Sequence, residues 1–212
     1  MKNIPVFTTQ YGVGSLILRE IPYKGIAYVK IQSSETPKEF IEECIQFCRM
    51  AGAEKIYATG HAYLENYPMH TAILHMCVSA DSLPDIDAAL MPVTEEALDQ
   101  WLRLYNERML HVDNAAFKDS ADGKLLLQNG NGYFVHKDGA LLGIGIASGD
   151  TIDAVIAAQP GAGREVVLAL RHAVSCNEIH LDVASTNTRA IRLYEKLGFV
   201  TAQERSRWYQ LL

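Results

Sequence analysis

One short loop in the 212-residue chain, Gln159-Pro160-Gly161-Ala162-Gly163-Arg164, has the composition to hold an anion. Gly161, Ala162 and Gly163 carry little or no side chain, so several backbone N–H groups can approach phosphate oxygens. The helix predicted to follow, through Val166, Val167, Leu170 and Val174, adds its positive end, and Arg164 in its first turn adds a charge. The Lys and Ser/Thr of a nucleoside-triphosphate loop are absent after Gly163, which argues against a general nucleotide-binding protein. Groups able to accept a proton lie on the neighbouring extended stretches: Asp153 within Thr151–Ala157, and His180 and Asp182 within Glu178–Ala184. Strand alternation turns Ile179, Leu181 and Val183 to one face and His180 and Asp182 to the other. A further concentration, His61 to His70, is rich in aromatics and histidine and suits either an amine-recognition wall or ordinary packing. His75, in a strongly apolar strand, reads as a satisfied buried or edge histidine, and Trp101 and Met109 as core positions of a helix stripe.

These residues need elements to position them. From Tyr11 to Ser34 two extended runs, GSLILREI and GIAYVKIQ, meet at Pro22-Tyr23-Lys24-Gly25, a turn composition that predicts a hairpin. Thr36-Pro37-Lys38-Glu39 has the form of a capped helix start, and Phe40, Cys44, Phe47, Cys48 and Ala51 continue at helical spacing to about Ala53. Lys55–Thr59 and Thr71–Ala80 read as strands. The polar segment SADSLPDID marks a domain boundary, giving domains 1–86 and 87–212. Beyond it come a short strand at Ala88–Val93, a helix capped by Thr94 with Leu98, Trp101, Leu102, Tyr105, Met109 and Val112 on one stripe, and a weakly periodic polar stretch from Asp113 to Gly132. Strands at Gly132–His136 and Ala140–Ser148 flank an Asp138-Gly139 turn. A third strand, the glycine loop with its helix, a strand at Glu178–Ala184, a helix at Asn187–Leu197 ended by Gly198, and a closing hairpin of Phe199–Gln203 and Arg207–Leu212 complete the chain. The fold class is α/β (α+β), with a mixed sheet and flanking helices.

A composition of 49% hydrophobic and 21% charged residues excludes a disordered or collagen-like chain. The formal charge of −6 disfavours nucleic acid and anionic membrane as partners and suits a cationic or amine partner. No apolar run approaches the roughly 20 residues of a membrane span, and MKNIPVFTTQYG lacks a signal-peptide core, so the expected location is cytoplasmic. Cys44 and Cys48, four apart on an apolar helix face, read as reduced core thiols. With Cys77 and Cys176 they form none of the repeated Cys/His pairs of a zinc site, so no metal is expected.

The run Asn187-Thr-Arg-Ala190-Ile-Arg-Leu193-Tyr194-Glu-Lys196-Leu-Gly198-Phe199, after the strand IHLDV, resembles the last helix and following strand of the GNAT superfamily of acyl-CoA-dependent N-acetyltransferases. The glycine loop resembles that superfamily's second signature, with Gln159 two positions before Gly161 where the pattern has three. The resemblance covers about Asp87 to Leu212. It implies a V-shaped opening between Thr151–Ala157 and Glu178–Ala184, an acyl-pantetheine arm along Val155, Ile156 and Ala157, and further cofactor contacts at Gln159, Gly161, Ala162, Gly163, Arg164, Asn187, Ala190 and Tyr194. Asn187 would cap the last helix or reach the pantetheine arm. Tyr194 would be the general acid for the departing CoA thiolate. Asp182 is the expected proton acceptor, with Asp153 and His180 as alternatives. The implied reaction is direct attack of a small-molecule or peptide amine on acetyl-CoA, the cosubstrate, in a ternary complex without metal. The alternative is a non-catalytic CoA- or ligand-binding sensor or assembly module; homodimerisation is open to either. The first domain, ββαββ, resembles a degenerate half of the same fold. Its helix start lacks a glycine loop and carries Glu35 and Glu39, which would repel a pyrophosphate.

Overall fold

The computed structural model describes residues 5–212. They form two compact units, one built from the chain up to Ile73 together with Glu204–Leu212, the other from Leu74–Gln203.

The first unit contains β1 (Val6–Thr9), β2 (Gly12–Ile17), α1 (Ile21–Lys24), β3 (Ile26–Ser33), α2 (Pro37–Met50) and β4 (Lys55–Thr59). Its sheet order is β1-β2-β3-β4, followed by the C-terminal part of β11 (Val200–Gln210). The expected hairpin is present as the antiparallel β2–β3 pair, but its connection is the one-turn helix α1, closed by Gly25 at φ +67°. Strand β1 extends it on the N-terminal side.

Helix α2 buries Phe40, Ile41, Cys44 and Cys48 against Leu16, Val29, Ile31 and Ile56. The expected Thr36 side-chain cap does not form; the Thr36 carbonyl instead accepts from the Phe40 N–H at 3.1 Å. Four buried apolar side chains at about 1.5–3 kcal/mol each outweigh a missing cap worth about 1 kcal/mol. Burial pushes the Cys44 thiol up to about 12 and that of Cys48 to about 11, so both stay protonated and inert. The loop after β4 folds as a 3₁₀ turn, Ala62–Asn66, in which the His61 ring accepts from the Tyr63 N–H at 3.1 Å. Tyr63 and Tyr67 pack against this unit's own core.

The second unit contains most of β5 (Met69–Ser79), then β6 (Ala89–Pro92), α3 (Leu98–Met109), α4 (Ser120–Asn129), β7 (Gly132–Lys137), β8 (Ala140–Ser148), β9 (Thr151–Ala157), α5 (Gly163–Leu170), β10 (Glu178–Ala184) and α6 (Thr188–Lys196). Its sheet order is β5-β10-β9-β8-β7-β6, with β6 to β9 an antiparallel meander and β9–β10 parallel. One core lies beneath α5 and α6, around Val166, Leu170, Ile179, Leu181 and Phe199; a second, around Trp101, Tyr105, Phe134 and Ile144, lies beneath α3.

Three elements differ from what the sequence pattern predicts. The polar stretch before Gly132 contains α4, started by an Asp119–Asp122 capping box and ended by Gly130 at φ +61°. Helix α3 begins after Ala97; the Thr94 carbonyl accepts from the Ala97 N–H, while the Thr94 hydroxyl bonds to the Glu96 carboxylate and caps no helix N–H. The closing hairpin is one continuous strand, β11, whose middle residues Glu204, Arg205 and Ser206 supply no Gly, Pro or Asn to reverse it. Among the described residues no helix is long and apolar enough to cross a membrane.

The parallel pair β3–β4 of the first unit runs without interruption through five residue pairs, from Ile26↔Lys55 to Lys30↔Thr59. Immediately beyond it Gly60 sits at φ +100°, where an added Cβ would lie 2.3 Å from the Ile31 carbonyl oxygen. Only glycine lets the two strands stay this close. Gly60→Ala is therefore expected to lower stability by roughly 2–4 kcal/mol, read as the urea midpoint at constant m-value.

Candidate functional site

In the second unit the corresponding parallel pair behaves differently. Strands β9 and β10 share the single registered pair His180↔Thr151. The next residues of β9 are in register only with β8 (Val155 with Gly145, Ile156 with Ile144, Ala157 with Gly143), and that ladder is bulged at Asp153, which has no partner between Ile152↔Ala147 and Ala154↔Ile146. A bulge bends its strand and increases local twist, which turns β9 away from its parallel neighbour.

A cleft of about 470 Å³ lies where the strands part. Val155, Ile156 and Ala157 form one wall and Asn187, Ala190, Leu193 and Tyr194 of the α6 region another, with Gln159, Gly161, Gly163 and Arg164 along the loop between β9 and α5. Ala162, also expected at the site, is buried beneath the loop and does not line the cleft. The loop is tied at its base: the Gln159 side chain donates to the Leu141 carbonyl at 2.9 Å, and Arg108 of α3 donates to the Ala158 carbonyl at 2.8 Å. Gly161 bends it at φ +89°, and Gly163 rests where a Cβ would be 3.1 Å from Leu193 Cδ2, so the loop closes on α6.

The start of α5 has no side-chain cap, and its first i→i−4 bond is donated by Val166 to Ala162 at 3.0 Å. The N–H groups of Gly163, Arg164 and Glu165 precede that bond, at the positive end of the helix. Three guanidinium groups, Arg108, Arg164 and Arg189, line the cleft, and no carboxylate does. On a chain of charge −6 this is a local concentration of positive charge suited to a polyanionic ligand. Arg108 and Arg189 carry no signal in the sequence, because neither helix periodicity nor the glycine loop indicates which arginines the fold turns inward.

Asn187 accepts from the Ala190 N–H at 3.3 Å and so caps α6. Tyr194, on the same helix, is 8% exposed and its ring lies 5.7 Å from that of Phe199. Burial raises its phenol to about 12. Asp182 lies outside the cleft lining, half exposed on β10, with its Oδ1 2.7 Å from His75 Nδ1. Asp153 lines a separate cavity of about 260 Å³ with Lys118, Asp122 and Asn131. Desolvation raises its carboxyl above the ordinary range, Lys118 opposes the shift and Asp182 adds to it. From His180↔Thr151, Asp182 and Asp153 each lie two residues further along their strands. Trp101, fully buried, stacks on Tyr105 and donates to the Tyr133 carbonyl at 3.1 Å, a core role; Met109 reaches the cleft.

The family model described as FR47-like protein matches residues 157–209, from the end of β9 through the glycine loop, β10 and α6 into β11. None of the curated proteins matches in sequence. Among solved structures, a functionally unknown conserved protein from Staphylococcus epidermidis ATCC 12228 is 14% identical with a TM-score of 0.57, over 98% of this chain and 93% of its own. A GCN5-related N-acetyltransferase from Sphaerobacter thermophilus is 14% identical with a TM-score of 0.51, over 93% and 75% of the two chains. One from Kribbella flavida is 8% identical with a TM-score of 0.60, over 96% and 58%. At such identities the fold alone is what is shared, and it is the fold seen in GCN5-related N-acetyltransferases.

The buried phenol has a measurable consequence. Its folded value, about 12, lies above the ordinary value of 10, so between these pH values the unfolded chain loses a proton that the folded chain keeps. Stability therefore falls as pH rises past 10, by an amount worth about 2–3 kcal/mol for this group. Cys44 and Cys48 act in the same direction and are common to both proteins in the comparison. Urea unfolding between pH 9 and about 11.5 is expected to show a steeper alkaline loss for the wild type than for Tyr194→Phe.

Proposed function

We propose that the unit Leu74–Gln203 binds an acyl-CoA in the cleft between β9 and α6 and transfers its acyl group to an amine. The observation that carries this reading is the parting of β9 from β10 after one registered pair, directly beside an uncapped helix start and three arginines with no opposing carboxylate. The residues present fit such a ligand. Backbone N–H groups at the start of α5 with Arg164 and Arg108 would hold phosphate oxygens, and the β9 edge at Val155, Ile156 and Ala157 would take the amide-bearing arm as a strand takes a neighbour.

The thioester supplies an acyl carbon open to attack by an amine nitrogen. The new C–N bond forms as the C–S bond breaks, one proton leaves the amine and one reaches the sulfur. Tyr194 keeps its proton at neutral pH and donates a hydrogen bond to the sulfur as negative charge develops there; a phenol near 12 favours this over early full transfer. Asp182, held by His75, and Asp153, whose raised carboxyl binds a proton more readily, sit on the two strands just beyond the registered pair but outside the cleft lining, so either would take the amine's proton through intervening water. The first unit binds no second CoA, because β3 and β4 stay paired and the open hollow beside the start of α2 is lined by Glu35 and, among the described residues, by no cation.

Calorimetric titration with CoA is expected to give one site per chain. A screen of acetyl-CoA against polyamines, amino acids, aminoglycosides and peptides, followed by free thiol, is expected to find an acceptor. With that acceptor, Tyr194→Phe should lower turnover by about 10²- to 10⁴-fold at nearly constant CoA affinity. Binding without turnover across the panel would favour the sensor alternative, and absence of binding would remove the acyl-CoA reading altogether.

A further inference from the structure

Outside the cleft, strands β5 and β10 are neighbours in the sheet of the second unit. The bond from the Ala80 N–H to the Asn177 carbonyl, 2.8 Å, fixes an antiparallel register that sets Cys77 opposite His180 and His75 opposite Asp182. The 2.7 Å contact of His75 Nδ1 with Asp182 Oδ1 agrees with it. Glu178, two residues before His180, projects to the same face. One donor atom from each of Cys77, Glu178 and His180 falls within 4.8 Å of the others. His180 Nε2 is 3.2 Å from Glu178 Oε1 and 4.0 Å from Asp150 Oδ2.

We propose that Cys77, His180 and Glu178 form a binding site for a divalent transition-metal ion of the zinc class, with Asp150 in reach of the fourth position. Thiolate, imidazole and carboxylate together suit zinc, whereas a hard cation such as magnesium would want oxygen ligands alone. Donors around a tetrahedral ion of this class lie about 3–4 Å apart, so small side-chain rotations bring these atoms to ligating distance. The His180 ring stacks on His75 at 5.1 Å and 8°, and Asp182 holds His75 in turn, which restricts rotation of the His180 ring. A plain ion pair would explain the carboxylates near His180, but it leaves unexplained a thiol facing both. Binding replaces the Cys77 S–H proton, which passes to solvent. Because His180 faces Thr151 at the last registered pair, the ion would fasten the closed end of the opening between β9 and β10. The proposal stands whether or not the unit transfers acyl groups.

The test uses the full chain without an affinity tag, stripped with a chelator and titrated with Co²⁺. One equivalent is expected to bind with a thiolate-to-cobalt charge-transfer band in the near ultraviolet, which Zn²⁺ abolishes by displacement, and Zn²⁺ is expected to raise Tm. Cys77→Ser should lose the band, and His180→Gln and Glu178→Gln should each weaken binding by about tenfold or more while leaving the thiol in place. Cys176→Ser, which removes the exposed thiol, should keep the band. Absence of the band in the wild type, its survival in Cys77→Ser, or affinities unchanged in both His180→Gln and Glu178→Gln would overturn the proposal.

Discussion

The parting of β9 from β10 is the constraint around which the second unit is organised. A parallel pair inside a sheet normally continues its ladder, since an unpaired backbone group shielded from water costs about 1–3 kcal/mol, more than the roughly 1 kcal/mol a formed hydrogen bond contributes net. Here the ladder stops after His180↔Thr151, and the chain compensates on either side. The bulge at Asp153 turns β9, the meander β6 to β9 holds its other edge, and Arg108 and Gln159 anchor the segment that leaves it. The edge left without a neighbour borders the arginine-lined cleft, so the place where the sheet is incomplete is also where positive charge gathers.

The first unit shows what the same strand–helix–strand arrangement becomes without that break. Strands β3 and β4 remain paired along five residues, and Gly60 permits the close approach that follows. The helix between them starts with Pro37, which has no N–H to offer, and the hollow beside it is lined by Glu35. Each departure alone would weaken phosphate binding, and all lie where the second unit has Gly163, Arg164 and free helix-start amides.

Much of this was legible in the sequence where a local rule was strong. The Asn187–Phe199 motif, the strands at Lys55–Thr59, Thr151–Ala157 and Glu178–Ala184, and the Asp138-Gly139 turn, with both residues at positive φ, follow from patterns a few residues long. Helix α4 escaped because its apolar pattern is weak and its start rests on a reciprocal Asp119–Asp122 bond, not on the Ser/Thr and Glu of the commonest box. The unbroken β11 escaped because a polar, exposed strand alternates too little to announce itself. Arg108, Arg189 and the Cys77–His180–Glu178 group depend on which strands and helices become neighbours. Ligand spacing along the chain could not indicate a set of donors assembled across two strands.

One feature of the first unit bears on how the chain acquires its structure. Its sheet is completed by residues from the far end of the chain, with Tyr209 beside Ala58, Gln210 beside Tyr57, and the Leu211 N–H donating to Ile56 at 2.8 Å. Tyr209 is also part of its buried core, and Leu211 and Leu212 pack against that core. The second unit is continuous in sequence, whereas the first also needs Glu204–Leu212. During synthesis the order of completion is therefore reversed relative to the order of the residues. The earlier-translated part of the first unit must wait, with Tyr28 unshielded by Trp208, until Glu204–Leu212 have emerged from the ribosome, and that interval of exposed apolar surface is when the nascent chain is most open to chaperones and to aggregation.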